Sequence, residues 1–334
     1  MYELKNFWKN GFAGPFDLNV DSNKIEKVAD FLSEMVQSKK PHPLYHRYSV
    51  RDWHLLKQEV LSLYQDEGLV ESLKVLMGED LVLWRTKVFN KEPFEGEIGW
   101  HQEWGTFNGI EIGNDIPALQ YSGDEECWDL TVWVALCDVE LNMGPLKFAR
   151  GTNNKRFTEV VTPMYESEFF VDPFVGISSV SELVKRALSN ALILDVDTST
   201  VFTPADLNNA NLSMEAAQEK VMEHIKNAKG SVVIDFNPEE HEIITSKVKK
   251  GQYWIFTERV MHGSGVNESD RSRLGINGRI TRSDTLIYPQ RLEDGFMDGS
   301  NIDISQHECV LLSGKSLEPR NKMFEARDKS VVAH

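Results

Sequence analysis

A mainly β fold with helices, either a sandwich or a barrel with the helices packed outside, is what this chain predicts on three observations. After Gly78 the hydrophobic residues alternate in several separate segments. Before Gly78, and again between about 164 and 229, they recur at helical spacing. No internal repeat, low-complexity tract or Pro/Gly/Ser linker divides the chain. Its 334 residues, 41% hydrophobic and 26% charged, suffice to bury a substantial core, and one domain spanning 1–334 is the expectation.

The elements follow in order. Asp21 or Ser22 can cap a first helix, with Ile25, Val28, Ala29, Leu32, Met35 and Val36 on its apolar face. A second helix is expected over 55–65 and a third over 68–77, stopped by Gly78. Strands rich in Val, Ile, Trp, Thr and Phe are expected at 81–90, 129–138, 230–236, 252–258 and 274–282. Between them lies a helical insertion over about 164–229, a candidate lid, with a capping box at Ser179 and Glu182 and a further helix from about 213 to 227.

Charge excludes some partners. Against 36 Lys and Arg stand 52 Asp and Glu, and a net charge of −16 repels nucleic acid and anionic membrane surfaces. No stretch reaches the roughly 18 apolar residues of a membrane span, and no basic start precedes an apolar run, so a cytoplasmic location is expected. Cys127, Cys137 and Cys309 form no CxxC pair and suit a reducing compartment as small hydrophobes.

Two of the nine histidines stand in chemically suggestive surroundings. In Gly99-Trp100-His101-Gln102-Glu103-Trp104 a His and a Glu are two positions apart. On an extended chain these side chains leave the same face and form a two-ligand clamp. A second imidazole would complete the two-His, one-carboxylate facial set of non-haem iron(II) oxygenases, which keeps positions open for substrates. His262 offers it, at the end of the strand through Tyr253-Trp254-Ile255-Phe256 where the chain is expected to enter a Gly-rich turn. HxE alone arises often by chance as a solvated surface pair, and His262 is what raises its weight.

Eleven residues after His262 comes Arg273, whose strand places Arg273, Gly275, Asn277 and Arg279 on one face. An arginine beside a metal face needs an anionic partner. A five-carbon dicarboxylate that chelates iron at one end and pairs with guanidinium at the other fits; the ordinary alternative is an ion pair with one of the many acidic residues.

These residues resemble the phytanoyl-CoA dioxygenase superfamily, and within it the branch of the syringomycin-type non-haem iron halogenases. The similarity includes Asn10-Gly11-Phe12-Ala13-Gly14-Pro15-Phe16, Leu83-Trp84-Arg85-Thr86, Trp100-His101-Gln102, Thr131-Val132-Trp133, Gly144-Pro145-Leu146-Lys147-Phe148 and the stretch from Tyr253 to Arg279. It implies a double-stranded β-helix, a cupin-like jelly roll, working with iron(II), 2-oxoglutarate and dioxygen. By position it implies His101, Glu103 and His262 as metal ligands and Arg273 as partner of the distal 2-oxoglutarate carboxylate. Phe89, Thr131 and Trp133 match residues that line the co-substrate pocket. Asn108 matches another after a different spacing, and Arg279 is similar to an arginine acting just outside the metal's own ligands.

One departure bears on the reaction. The halogenases of this branch carry a small residue where this chain has Glu103, which leaves them a position for chloride. A carboxylate there implies hydroxylation, or a related desaturation or ring closure, and no chlorination. The substrate class implied is a small molecule, an amino acid or a compound derived from one, free or tethered to a carrier protein. A catabolic oxygenase and a catalytically silent ligand-binding β-helix are the competing readings.

The remaining candidates have plainer readings. His42, His46 and His54 are expected on a surface loop, and His224, His241, His307 and His334 in solvated positions. Arg85 and Lys87 share a strand face with Phe89 and can meet a substrate anion or an interior carboxylate. Trp100 and Trp104 can wall a pocket or simply pack.

Overall fold

The computed structural model describes residues 2–103, 118–122, 129–162, 164–166, 170, 172–193, 196–227, 231–293, 296–298 and 302–325. A six-stranded sheet runs in the order β1 (Phe12–Asp17), β10 (Gln252–Thr257), β5 (Leu130–Ala135), β12 (Arg273–Arg282), β2 (Leu81–Lys91), β14 (Val310–Ser313). A four-stranded sheet runs β3 (Ile98–His101), β11 (His262–Ser264), β6 (Leu146–Ala149), β9 (Ile243–Thr245). Every pairing in both sheets is antiparallel. Two ribbons, β4 (Leu119–Gln120) with β13 (Leu286–Ile287) and β7 (Glu159–Thr162) with β8 (Ser231–Ile234), complete the strands.

The two sheets face each other across one aromatic core. Phe12, Trp133, Trp254 and Phe256 of the large sheet meet Phe148 and Ile244 of the small one, and the Phe12 and Phe148 rings stack at 4.7 Å. This is the double-stranded β-helix that the alternating strands and the resemblance imply.

Helices cover the outer face of the large sheet. α1 (Phe7–Asn10) leads into β1, and α2 (Ser22–Ser38) begins at Asp21, whose carboxylate accepts from Asn23 N at 2.7 Å. α3 (Gln58–Tyr64) and α4 (Glu67–Met77) follow, and α4 ends at Gly78 with φ 94°. Leu130, Val132 and Val134 of β5 and Leu274, Ile276 and Ile280 of β12 pack on Val28, Leu32, Leu63, Leu69 and Leu73. Each such side chain contributes about 1.5–3 kcal/mol by leaving water. Gly278 shares this face because the Tyr64 ring lies 2.3 Å from where a Cβ would stand.

The insertion is bracketed by the β7–β8 ribbon and carries α5 (Val180–Leu188) and α6 (Met214–Lys226). Leu183, Val184 and Ala187 pack with Ala217, Val221 and Ile225 in a separate small core. Ser179 caps α5 by accepting from Glu182 N at 3.2 Å. The expected capping box closes only in part, for the Glu182 carboxylate takes the Ser178 N–H rather than that of Ser179. Among the described residues no helix is long and apolar enough to cross a membrane.

Candidate metal centre and co-substrate pocket

The alternation that sends Leu130, Val132 and Val134 outward sends Thr131, Trp133 and Ala135 inward, toward the small sheet. Register extends this face across three strands. Arg279 lies between Arg85 and Thr131, Asn277 between Lys87 and Trp133, Gly275 between Phe89 and Ala135, and Arg273 beside Lys91.

Opposite them, His101 closes β3 and His262 opens β11, and the two are register partners. The Gly-rich segment expected to be a turn is therefore the strand His262–Ser264; at three residues it is too short to carry an alternating signal. The two imidazole rings lie 4.2 Å apart between centroids. His101 Nδ1 donates to Gly99 O and His262 Nδ1 to Val260 O, both at 2.9 Å. A ring that donates through Nδ1 carries its lone pair on Nε2, which is the form a metal binds. Burial holds the His262 imidazolium down to about 3, with His101 adding to the effect, and burial lowers His101 as well.

Glu103 completes the group: one potential ligand atom each from His101, Glu103 and His262 lies within 4.8 Å of the others. Its backbone N donates to Glu258 O at 2.7 Å, which ties the segment after β3 to the end of β10. Burial pushes the Glu103 carboxyl up, but Arg279 and then the two imidazoles outweigh it and hold it at about 2. Arg279 donates through Nη2 to Glu103 Oε1 and through Nη1 to Asp129 Oδ2, the latter at 3.2 Å. Asp129 Oδ1 accepts from Trp84 Nε1 at 2.9 Å. Beyond it, burial and then the neighbouring Asp129 push Glu258 well above the usual carboxylate range.

Arg273 occupies the far end of the inner face and is 1% exposed. It donates through Nη1 to Gly144 O, and its guanidinium lies 5.6 Å from the centre of the Trp133 ring. Among the described residues no carboxylate stands within ion-pair distance of it, so the ordinary pairing that its sequence context allowed is not what the fold provides. Burial pulls Arg273 down to about 10, which leaves it charged at neutral pH.

A sequence profile described as phytanoyl-CoA dioxygenase (PhyH) matches residues 7–275. The chain belongs to the phytanoyl-CoA dioxygenase family. Enzymes of this family are iron(II)- and 2-oxoglutarate-dependent oxygenases that consume dioxygen. Solved structures show the shared fold. CytC3 with Fe(II) and alpha-ketoglutarate is 16% identical, with 96% of this chain and 91% of that one covered at a TM-score of 0.61. Apo ThoJ, a non-heme monooxygenase, is 14% identical over 96% and 88% at 0.57. The epimerase SnoN in complex with Fe3+, alpha ketoglutarate and nogalamycin RO is 15% identical over 97% and 94% at 0.50. No curated protein sequence matches the chain significantly.

The residues present fit the family's cofactors. Glu103 Oε2, Thr131 Oγ1, Asn277 Oδ1, Ser264 Oγ and Arg273 Nε are buried without a hydrogen-bond partner among the described residues. Buried polar atoms are rarely left so; Thr131, Asn277 and Arg273 belong to the inner face of the large sheet, and Glu103 and Ser264 to the segments that carry the histidine pair. Two neutral imidazoles with a carboxylate suit a ferrous ion, and a buried guanidinium suits the far carboxylate of a dicarboxylic acid.

In this phytanoyl-CoA dioxygenase family member, Phe89 and Trp133 pack in the inner core with Phe148, and Thr131 and Arg279 lie at the metal-side end. Asn108 and Trp104 lie outside the described residues. Three groups were not singled out in the sequence. Lys91, 2% exposed, is the register partner of Arg273, and burial lowers it to about 8, with Arg273 adding to the effect. Asp129 and Glu258 stand where β5 begins and β10 has just ended; their adjacency to aromatic-rich strands was the available signal.

Three histidines expected in solvent are interior. His42 and His307 are 0% and His54 is 1% exposed. His54 Nδ1 meets Thr86 Oγ1 at 2.9 Å, His307 Nε2 donates to Trp84 O, and His42 stacks on Tyr45 at 4.6 Å. Arg47, Ser49, Arg51 and Asp52 near His42 and His54, and Glu308 beside His307, are buried as well, although Lys40 and Gln306 are exposed. Arg85 joins this region through Tyr288 and through Asp298 at 3.4 Å, which realises the interior ion pair.

Proposed function

We propose that this oxygenase hydroxylates an unactivated carbon of an amino acid or amino-acid-derived compound, free or carried on a protein, with iron(II) held by His101, Glu103 and His262. The observation that carries the reading is the convergence of two Nδ1-donating imidazoles and a buried carboxylate within 4.8 Å. When bound, iron(II) with 2-oxoglutarate and dioxygen supplies an oxidant strong enough to remove hydrogen from carbon, while the co-substrate leaves as succinate and carbon dioxide.

The chain's own residues supply orientation and exclude water. Arg273 takes the distal carboxylate of 2-oxoglutarate, on a wall formed by Trp133, Phe89 and Thr131, with Asn108 assigned to the same pocket by its match. His101 and His262 reach a metal as neutral bases, so they have no proton to release on binding it near neutral pH. Glu103 occupies the position that a halide would need, and this supports hydroxylation over chlorination. The substrate class rests on the resemblance to the halogenase branch alone.

Anaerobic addition of iron(II) and 2-oxoglutarate should give a weak visible charge-transfer band; a protein that shows none is a silent scaffold. A screen of amino acids and carrier-bound aminoacyl groups for substrate-stimulated succinate release, read by mass spectrometry, should find a product heavier by one oxygen. A product lighter by two hydrogens would make it a desaturase or cyclase, and a chlorinated one would overturn the role given to Glu103.

A further inference from the structure

The two oxygens of Glu103 have different surroundings. Oε1 accepts from Arg279 Nη2, whereas Oε2 is buried with no partner among the described residues. Arg279 is held in turn by Asp129, whose other oxygen is occupied by the Trp84 indole. Glu103, Arg279 and Asp129 are 8%, 7% and 1% exposed, so none of these contacts is diluted by solvent. Two carboxylates about one guanidinium leave a net negative charge, which favours a cation at the histidine pair.

Glutamate has one more rotatable bond than aspartate and can turn to chelate a metal through both oxygens. Chelation would consume one of the positions that a two-His, one-carboxylate site keeps open. A guanidinium on Oε1 prevents that turn, and a charge-assisted contact in a buried site is strong enough to hold it. Asp129 stops the guanidinium from following Glu103, because Arg279 would have to leave a second buried carboxylate unpaired.

We propose that Asp129 is a positioning residue: it fixes the Arg279 fork on Glu103 Oε1, so that a metal at the histidine pair receives one glutamate oxygen and keeps its open positions. The proposal rests on the metal-centre reading above. Asn in place of Asp129 carries no charge, so Arg279 can follow Glu103 without leaving a buried carboxylate unpaired, whichever of the two donors, the Trp84 indole or Arg279, the amide oxygen keeps.

Mn(II) alone is the probe, since water-proton relaxation reports how many exchangeable waters the bound ion retains. An octahedral ion with three protein donors keeps about three waters, and chelation by Glu103 removes one. At saturating Mn(II), Arg279→Gln and Asp129→Asn should therefore each lower the bound-ion relaxivity by about a third, while Trp84→Phe, which leaves the Arg279 contact intact, should not. Circular dichroism checks folding, and Asp129→Ser replaces the asparagine variant if that one does not fold. Wild-type relaxivity in the Asp129 variant, or in Arg279→Gln, overturns the proposal. Failure of the wild-type protein to bind Mn(II), or binding unchanged by His262→Ala, overturns the metal-centre reading instead.

Discussion

His101 and His262 face each other across the β3–β11 ladder, and each donates its Nδ1 hydrogen to the carbonyl oxygen two residues before it, Gly99 O and Val260 O, at 2.9 Å. The same local bond thus sets ring orientation and tautomer on both strands. A pair arranged in this way needs little rearrangement to receive a metal, and the third donor arrives from the residue two beyond His101.

Replacing either histidine with alanine should therefore remove the charge-transfer band formed with iron(II) and 2-oxoglutarate. Loss of a direct ligand should weaken iron binding by more than the roughly 10–100-fold typical of residues that only orient ligands. His224→Ala, on α6 in the insertion, is the control and should bind as the unaltered protein does. Equal iron affinity in His101→Ala and the unaltered protein would sink the assignment.

Arg273 is the proposed anchor of the distal 2-oxoglutarate carboxylate. Its side chain is buried, and no carboxylate pairs with it among the described residues. Arg273→Leu should raise the 2-oxoglutarate concentration needed for half-saturation of the band by about 100-fold or more, on the scale of a broken buried ion pair. Iron binding should be unchanged. Arg273→Lys should recover only part of the affinity, since an ammonium cannot form the two-pronged pair. Similar 2-oxoglutarate affinity in all three proteins would show that the anchor lies elsewhere.

The large sheet and its inward face were legible because β5 and β12 alternate cleanly: Thr131 and Trp133, or Arg273 and Arg279, stand an even number of positions apart among outward Val, Leu and Ile. The small sheet was not. Its strands have three or four residues, too few for a period, and so His262 read as the start of a turn. His42, His54 and His307 were misread for another reason. His54 and His307 are buried by partners remote in sequence, Thr86 and the Trp84 carbonyl, whereas the His42 ring packs on the nearby Tyr45 and Trp53, whose inward direction local polarity does not reveal. The pairing of Arg279 with both Glu103 and Asp129 likewise depends on register between strands that sequence spacing does not specify.

Those three interior histidines make stability depend on acid. Burial lowers His42, His54 and His307 from 6.5 to about 4 each, against the opposing pull of Asp52. The unfolded chain takes up these protons first, so the contribution is full above about 6.5 and is lost as pH falls toward 4. Each group costs about 2 kcal/mol by about pH 5, and three together approach the whole stability of a typical domain. The melting temperature of the metal-free protein should fall steeply between about pH 6.5 and 4. His54→Gln, if folded, should flatten part of that fall; a melting temperature independent of pH across this window contradicts the burial argument.

Gly275 is the point at which packing reaches Trp133 in the proposed co-substrate pocket. A Cβ there would stand 2.3 Å from Cζ2 and 2.6 Å from Cε2 of Trp133, so the indole lies across the glycine and alanine must displace it. The same ring forms the surface beside the Arg273 guanidinium. Gly275→Ala should thus cost about 1–3 kcal/mol as overpacking, seen as a fall of several degrees in melting temperature. It should also weaken 2-oxoglutarate binding while leaving iron binding intact, because the histidine pair lies on the opposite sheet. At Gly265 an added Cβ would find its nearest neighbour 3.6 Å away, and Gly265→Ala should change neither quantity. If Gly275→Ala melts with the unaltered protein and binds 2-oxoglutarate equally well, Trp133 does not support Arg273.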